Sequence, residues 1–178
     1  ALKASRGACP EKSCIYPQVC PLLGLTHEHQ LALLKALRQV PGVRKVFISS
    51  GIRHDLVMAD VEYGEEYLQE LVNYHVSGQL KLAPEHSQPA VLQRMRKPSV
   101  QSLLAFKQRF DALSKAAGKK QFLTYYLIAA YPGCTQEDMF ALKRFASEKL
   151  GVLPEQVQIF TPTPSTYASL MYYTEKDP

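Results

Sequence analysis

The sequence contains no apolar run that approaches the roughly 18 residues of a membrane-spanning helix. Its first residues are polar and include Cys9 where the apolar core of a secretory signal would stand, so no signal peptide is expected. Four cysteines in a chain without such targeting features are not expected to form structural disulfides. These absences predict a cytoplasmic protein.

The cysteines also lack the regular spacings of zinc sites. Cys9, Cys14 and Cys20 follow the pattern C-x4-C-x5-C. Three thiolates could hold an iron–sulfur cluster or another metal with a fourth ligand from elsewhere, and reduced thiols in a loop are the alternative. Cys134 stands apart after Gly133 at a predicted helix start, where the helix dipole is expected to lower the pKa of the thiol.

Composition and charge restrict the function only loosely. The chain has 178 residues, of which 46% are hydrophobic and 21% charged, as in an ordinary globular domain with its own core. The net charge of +5 fits an anionic partner such as RNA, and it equally fits a plain solvated surface.

After an irregular segment at 1–25, the apolar periodicity predicts helices that alternate with strands. Strands are predicted over 43–50, 79–83, 121–130 and 157–160, and helices over 26–40, 62–76, 89–98, 99–118 and 135–150. This order is typical of an α/β fold in which a parallel sheet is joined by helical crossovers. Four strands are too few to close a barrel, so the alternatives are a small open sheet and a part of a larger barrel.

Polar residues follow each predicted strand, and the carboxyl ends of parallel strands share one edge of a sheet. The candidate binding residues at this edge are Arg53, Glu85, His86, Pro132, Gly133, Thr161 and Pro162. Arg53 could clamp a carboxylate or phosphate, Glu85 could accept from ribose hydroxyls or an amino group, and Gly133 would let a flat ligand approach the backbone. The alternatives are an ion pair between Arg53 and Asp55, a polar approach to a helix at Glu85 and His86, and a simple turn at Gly133.

Several of these segments resemble a known family. VFISSGIRHDL, HVSGQLKLAPEHSQPAVLQRMRKP, AAYPGCTQEDM, VQIFTPTPSTYASLMYYT and the cysteine-containing ACPEKSCIYPQVCPLLGLTHEH are similar to the C-terminal part of the radical S-adenosylmethionine (SAM) core of the YgiQ family. The resemblance covers nearly the whole chain. More loosely, the stretch from Glu85 to Arg96 is similar to the E-S-G-S…vLk-M-r-K element of radical SAM enzymes in general, and AAYPGCTQEDM to their G-x-P-G-E-T-x-E-D element.

The resemblance implies a cysteine-containing segment at 1–25 followed by a partial (βα) barrel of the TIM-like type at 26–178. In such enzymes a [4Fe-4S] cluster held by C-x3-C-x2-C binds SAM and cleaves it reductively to start radical chemistry on a substrate. The present sequence contains no C-x3-C-x2-C. The resemblance therefore implies a fragment that binds neither cofactor by itself.

In that setting the seven residues at the sheet edge become candidates for the rim around SAM or the substrate. The three clustered cysteines become candidates for an auxiliary metal site. The alternative functions are a basic α/β module that binds RNA and a non-catalytic scaffold. The unpaired edges of a partial barrel also predict a dimer of the fragment.

Overall fold

The computed structural model describes residues 9, 13–154 and 156–177. The chain divides into two compact units. The first unit consists of Ala1–Leu82 and Gln101–Thr124, and the second of Ala83–Val100 and Tyr125–Pro178.

The described residues form seven helices, two π-helical turns and three strands. The helices are α1 (Glu28–Arg38), α2 (His54–Ala59), α3 (Gly64–Glu70), α4 (Pro89–Arg94), α5 (Val100–Ala116), α6 (Gln136–Phe145) and α7 (Tyr167–Thr174). The π-helical turns Leu71–His75 and Ala146–Leu150 continue α3 and α6. The strands are β1 (Gln79–Glu85), β2 (Phe122–Ala129) and β3 (Gln158–Ile159).

The strands form one parallel sheet in the order β1-β2-β3. In the pairing of β2 with β3, Ile128 lies opposite Gln158 and Ala129 opposite Ile159. Helices connect successive strands, as a parallel arrangement requires. The predicted α/β class is confirmed.

The prediction of a strand over 43–50 is wrong. The backbone hydrogen bonds of this segment are scattered rather than arranged in a ladder. Ile48 N donates to His75 O, Ser49 O accepts from Lys81 N, and Val46 O accepts from Nδ1 of His75, each at 2.8 Å. None of its side chains is buried, and Phe47 is 52% exposed. Burial of one face fixes the register of a strand. Because no other part of the described chain buries the apolar side chains of 43–50, the segment does not form a continuous ladder of backbone hydrogen bonds. The described sheet therefore has three strands rather than four.

The strand β2 forms where it was predicted, but it is not covered on both faces. Leu123 and Leu127 are buried, whereas Phe122 is 57% and Tyr126 38% exposed. The side chains alternate between the two faces of the sheet, as in any strand. The apolar run at 121–130 is continuous because its second face carries large aromatic side chains, which remain partly exposed to solvent.

In the first unit the core is built from apolar stripes on α3 and α5 together with one face of β1. Its largest fully buried residues include Leu68, Leu71, Leu80, Phe106 and Phe110. The spacing along each helix matches the roughly 3.6-residue period of an amphipathic helix. α2 and α3 approach closely, since a Cβ added at Gly64 would collide with the carbonyl oxygen of Val57.

Helix caps account for several element boundaries. A capping box begins α6: Thr135 Oγ1 accepts from Asp138 N at 3.2 Å, and Asp138 Oδ2 accepts from Thr135 N at 2.9 Å. α7 was not predicted, although Thr166 Oγ1 caps it by accepting from Ser169 N at 3.2 Å. In the part of the chain that the structure describes, no helix has the length and apolarity needed to cross a membrane.

Candidate functional site

In the second unit, the loops that follow β1 and β2 lie side by side. Nε2 of His86, directly after β1, is 3.5 Å from Sγ of Cys134 in the loop after β2. Both strands turn through a non-glycine residue in the left-handed region, with φ of 67° at Glu85 and 56° at Ala130. Such residues are uncommon and occur often at functional sites. The geometry thus brings together two of the predicted strand-end loops.

The carboxylate of Glu85 is held by a lysine that the sequence analysis did not consider. Lys97 Nζ lies 2.8 Å from Glu85 Oε1 and also donates to the carbonyl oxygen of Ala83 at 3.3 Å. Both charged side chains are about one-fifth exposed, at 23% and 22%. Glu85 is therefore a positioned carboxylate at the end of β1, and its partner leaves the pair formally neutral.

The ring of His86 is buried, with 1% exposure. Nδ1 accepts from the backbone N–H of Gln88 at 3.1 Å, so the proton of the neutral ring sits on Nε2, facing Cys134. Burial lowers the pKa of His86, and the negative charge of Asp138 only partly opposes this effect. His86 is consequently a neutral imidazole near pH 7.

The thiol of Cys134 is also neutral. Burial raises its pKa and the nearby Asp138 raises it further, whereas a backbone hydrogen bond and Arg94 act in the opposite direction. The prediction that the helix dipole lowers this pKa is wrong, because desolvation outweighs it. The S–H group donates to the carbonyl oxygen of Thr135 at 3.6 Å. The pair is thus a thiol beside an imidazole, not the thiolate–imidazolium pair of a cysteine nucleophile.

Gly133 has a φ of 75° and permits a close approach, and the group that approaches it is Arg94. A Cβ at Gly133 would lie 2.9 Å from Arg94 Cζ, and Arg94 Nη1 donates to Gly133 O at 3.2 Å. Arg94 belongs to α4, in the QRMRK stretch, and the sequence analysis did not select it. Pro132, Gly133 and Arg94 line a cavity of about 380 Å³, together with Met171 and Tyr172 from α7.

Thr161 and Pro162 follow β3, as predicted. Thr161 Oγ1 donates to the carbonyl oxygen of Ile159 at 3.4 Å, so its hydroxyl is used within its own loop. Phe160 N donates to the carbonyl oxygen of Ala129 at 2.9 Å, which continues the pairing of β3 with β2. Among the described residues, no hydrogen bond joins Thr161 or Pro162 to Glu85 or His86.

Arg53 lies in the first unit, at the start of α2. Its Nε donates to Asp55 Oδ1 at 2.8 Å and its Nη2 to Asp55 Oδ2 at 2.5 Å. Burial alone would raise the pKa of Asp55, but the hydrogen bonds and charge of Arg53 outweigh it and lower the pKa. The local ion pair that the sequence left as an alternative is therefore present. His54 and Asp55 form the first turn of α2, a helix that was not predicted from the sequence.

The clustered cysteines are not assembled as ligands. Cys20 N donates to the carbonyl oxygen of Cys14 at 2.8 Å, and Cys9 is exposed. Within the described ranges, no group of three or more His, Cys, Asp or Glu side chains is arranged to hold a metal ion. The predicted auxiliary metal site at Cys9, Cys14 and Cys20 thus receives no support from the geometry.

The fold and these contacts define an α/β protein with polar strand-end loops at the carboxyl edge of a parallel sheet, where such folds place ligand sites. No protein-family model matches the chain. It is 53% identical to a UPF0313 protein of Fusobacterium nucleatum over an alignment of 176 residues. This alignment covers 99% of the present chain and 31% of the relative. It is 46% identical to UPF0313 proteins of Thermotoga maritima, over 100% of the chain and 31% of the relative, and of Methanosarcina mazei, over 97% and 27%.

The chain is therefore similar to UPF0313 proteins along essentially its whole length. It spans less than a third of the length of these relatives. The activity of such a longer protein is a matter for proposal.

Proposed function

We propose that the chain is part of a radical SAM enzyme of the YgiQ type and supplies the C-terminal portion of its partial (βα) barrel. Three features support the proposal: the resemblance of the strand-end segments, the parallel α/β architecture, and the similarity to UPF0313 proteins of greater length. The observation that carries it is the 3.5 Å contact of His86 with Cys134, because it joins two loops that the resemblance assigns to one rim.

The iron–sulfur cluster does not fit the residues of this chain. The sequence has no C-x3-C-x2-C, and the described residues offer no set of three clustered donors. The cluster-binding cysteines would belong to another part of a longer protein. No step of cluster chemistry is therefore assigned to the present residues, and the chain alone is expected to load no cluster.

The rim residues of the second unit are chemically suited to SAM. The positioned carboxylate of Glu85 can accept hydrogen bonds from ribose hydroxyls or an amino group, and Arg94 can donate to a carboxylate. When bound and reduced, SAM supplies the 5′-deoxyadenosyl radical. The residues of this chain would bind and orient it and exclude water. The neutral state of His86 and Cys134 fits a role in shaping the rim rather than in proton transfer.

The remaining rim candidates extend this proposal. Pro132 and Gly133 line the cavity in the second unit, and Thr161 and Pro162 follow β3. Arg53 belongs to the first unit, and its proposed role is to bind a carboxylate or phosphate with a guanidinium that Asp55 would orient.

The experiment uses a longer protein that contains this chain, purified without oxygen. The iron content is measured after reconstitution, and 5′-deoxyadenosine is quantified by mass spectrometry after reduction in the presence of SAM. The proposal predicts about four iron atoms per protein and SAM-dependent release of 5′-deoxyadenosine. A protein that takes up no iron and releases no 5′-deoxyadenosine would eliminate it.

The alternative of an RNA-binding module depends on the net charge and on the similarity to RNA-modifying radical SAM enzymes. Several basic side chains of the first unit are already engaged by carboxylates: Lys35 by Glu66 at 2.5 Å, Lys107 by Asp111 at 2.5 Å and Arg109 by Glu65. RNA binding would show as affinity that falls steeply with salt. A dimer of the isolated chain through its exposed sheet edges is a further proposal, which light scattering tests.

A further inference from the structure

The cavity in the second unit combines charged side chains of both signs. Its volume of about 380 Å³ lies in the range of small-molecule sites. Two cations, Arg94 and Lys176, and two carboxylates, Glu175 and Asp177, line it. None of these four side chains takes part in the ion pairs formed by the described residues. Residues of opposite charge thus border one space without forming an ion pair with each other.

Arg94 is held in place before any ligand binds. Its Nη1 donates to the carbonyl oxygen of Gly133 at 3.2 Å, and the guanidinium carbon lies 2.9 Å from the position that a Cβ of residue 133 would take. Nε and Nη2 of Arg94 have no hydrogen-bond partner in the described part of the chain. A planar guanidinium with two open donors is the group best suited to a carboxylate, because it can bind both oxygens.

The carboxylates reach the cavity through an unusual end to α7. Glu175 adopts a left-handed conformation with a φ of 56°, and its N–H donates to the carbonyl oxygen of Met171 at 2.9 Å. This turn ends the helix and brings 175–177 to the cavity. A non-glycine residue in this region is strained, and such strain is often found at binding sites.

The remaining wall is apolar. Met171 is buried with 5% exposure and packs with Val91 and Tyr131, while the ring of Tyr172 lies within 6.0 Å of the ring of Phe160. The thioether of Met171 and the face of Tyr172 would accommodate an unbranched or aromatic apolar group.

The balance of charges discriminates between ligand classes. A phosphate or a nucleic acid would be repelled by the carboxylates of Glu175 and Asp177. A simple cation would be repelled by the positive charges of Arg94 and Lys176. A ligand that carries both signs a few ångströms apart has a partner for each. We propose that this cavity binds the free α-amino acid group of a ligand with an apolar side chain. Arg94 and Lys176 bind its carboxylate, and Glu175 and Asp177 bind its ammonium group.

The assignment to a free apolar amino acid does not need the proposed radical chemistry, whereas the assignment to SAM rests on the proposed function. Both ligands present the required ammonium and carboxylate groups, SAM at its methionyl end. The test therefore uses both. L-Methionine, its methyl ester, N-acetyl-L-methionine and SAM are titrated calorimetrically into the 178-residue chain.

Binding of L-methionine at least about tenfold tighter than of either derivative is expected, because each derivative lacks one charged partner. If free L-methionine does not bind but SAM does, and the variants below weaken it, the source of the amino acid group is the cofactor. Equal binding of methionine, ester and N-acetyl compound, or no binding of any of the four ligands, would overturn the proposal.

Variants separate the two halves of the cavity. With Arg94→Gln, the preference for methionine over its methyl ester is expected to disappear, while the preference over N-acetylmethionine remains. With Asp177→Asn combined with Glu175→Gln, the preference for methionine over N-acetylmethionine is expected to disappear, while the preference over the methyl ester remains. Lys149→Ala removes an exposed lysine that does not line the cavity and serves as the control. If both variants weakened all ligands equally while circular dichroism showed folded protein, the charge assignment would be wrong.

Discussion

Nε2 of His86 lies 3.5 Å from Sγ of Cys134, and both groups are neutral in the folded protein. The two residues are 48 positions apart in the sequence, and each follows a different strand of the sheet. Burial disfavours the charged form of both side chains. His86 therefore stays neutral to a lower pH than usual, and Cys134 stays neutral to a higher pH than usual. It fixes the relative position of two loops without adding charge to the rim.

The first prediction concerns stability in mild acid. Because the folded state lowers the pKa of His86, the unfolded chain binds more protons once the pH falls below the ordinary histidine value of about 6.5. The stabilising contribution of the neutral ring is present above that pH and is lost as the pH falls toward the lowered pKa of the folded state. The free energy of unfolding, measured with urea between pH 7.5 and 5.5, should depend less on pH in His86→Asn than in the wild type.

The control for this experiment is His29→Asn, since His29 is exposed on α1. It should keep the pH dependence of the wild type. The account would be contradicted if His86→Asn retained the full wild-type slope.

The second prediction concerns the reactivity of Cys134. A thiol whose pKa is raised is mostly protonated at pH 7.5, and only the thiolate reacts with iodoacetamide. Mass spectrometry of peptides after timed alkylation should show Cys134 reacting more slowly than the exposed Cys9. His86→Asn should not slow the reaction further. A fast reaction at Cys134 that is lost in His86→Asn would instead indicate a thiolate–imidazolium pair.

The third prediction concerns the left-handed residue after β2. Ala130 has a φ of 56°, which costs an L-residue roughly 1–2 kcal/mol but costs glycine little. Replacing Ala130 with glycine should therefore leave the free energy of unfolding unchanged or raise it by up to about 1 kcal/mol. Ala129→Gly, one residue earlier in the strand, should lower it by roughly 0.5–1 kcal/mol. Chemical denaturation checks both, and an equal loss in the two variants would refute the strain argument.

The fourth prediction concerns a buried ionic cluster in the first unit. Glu70 Oε1 lies 2.8 Å from Arg38 Nε and 3.2 Å from His75 Nε2, and His75 Nδ1 is 2.8 Å from the carbonyl oxygen of Val46. Glu70→Gln should lower the free energy of unfolding by about 1–3 kcal/mol, because charged hydrogen bonds in a buried site are lost. Glu66→Gln, which breaks the exposed pair with Lys35, should change it little. If Glu70→Gln and Glu66→Gln changed the free energy of unfolding equally, burial would not strengthen the ionic interactions of Glu70.

Local signals in the sequence were sufficient for the elements that carry the site. The strand at 79–83 and the starts of the helices at Pro89 and after Thr135 form as predicted, because turn residues and caps act within a few positions. The segment 43–50 shows the limit of such signals. Its apolar pattern is that of a strand, but tertiary packing provides no cover for it.

The contacts of the site depend on distances along the chain that a single sequence does not encode. Arg94 packs against Gly133, which is 39 positions away, and Lys97 pairs with Glu85 rather than facing solvent. The pKa of Cys134 was predicted in the wrong direction, because the helix dipole can be read from the sequence and burial cannot.

The most direct test of the proposed function is the SAM dependence of 5′-deoxyadenosine release in the longer protein, compared among wild type, Gly133→Val and Gly151→Val. Both glycines have positive φ, at 75° and 70°, but only a side chain at residue 133 meets Arg94 at the rim. The account predicts that wild type and Gly151→Val release 5′-deoxyadenosine with the same KM for SAM, and that Gly133→Val needs at least about tenfold more SAM. Release that is absent from all three proteins, or identical in all three, would contradict it.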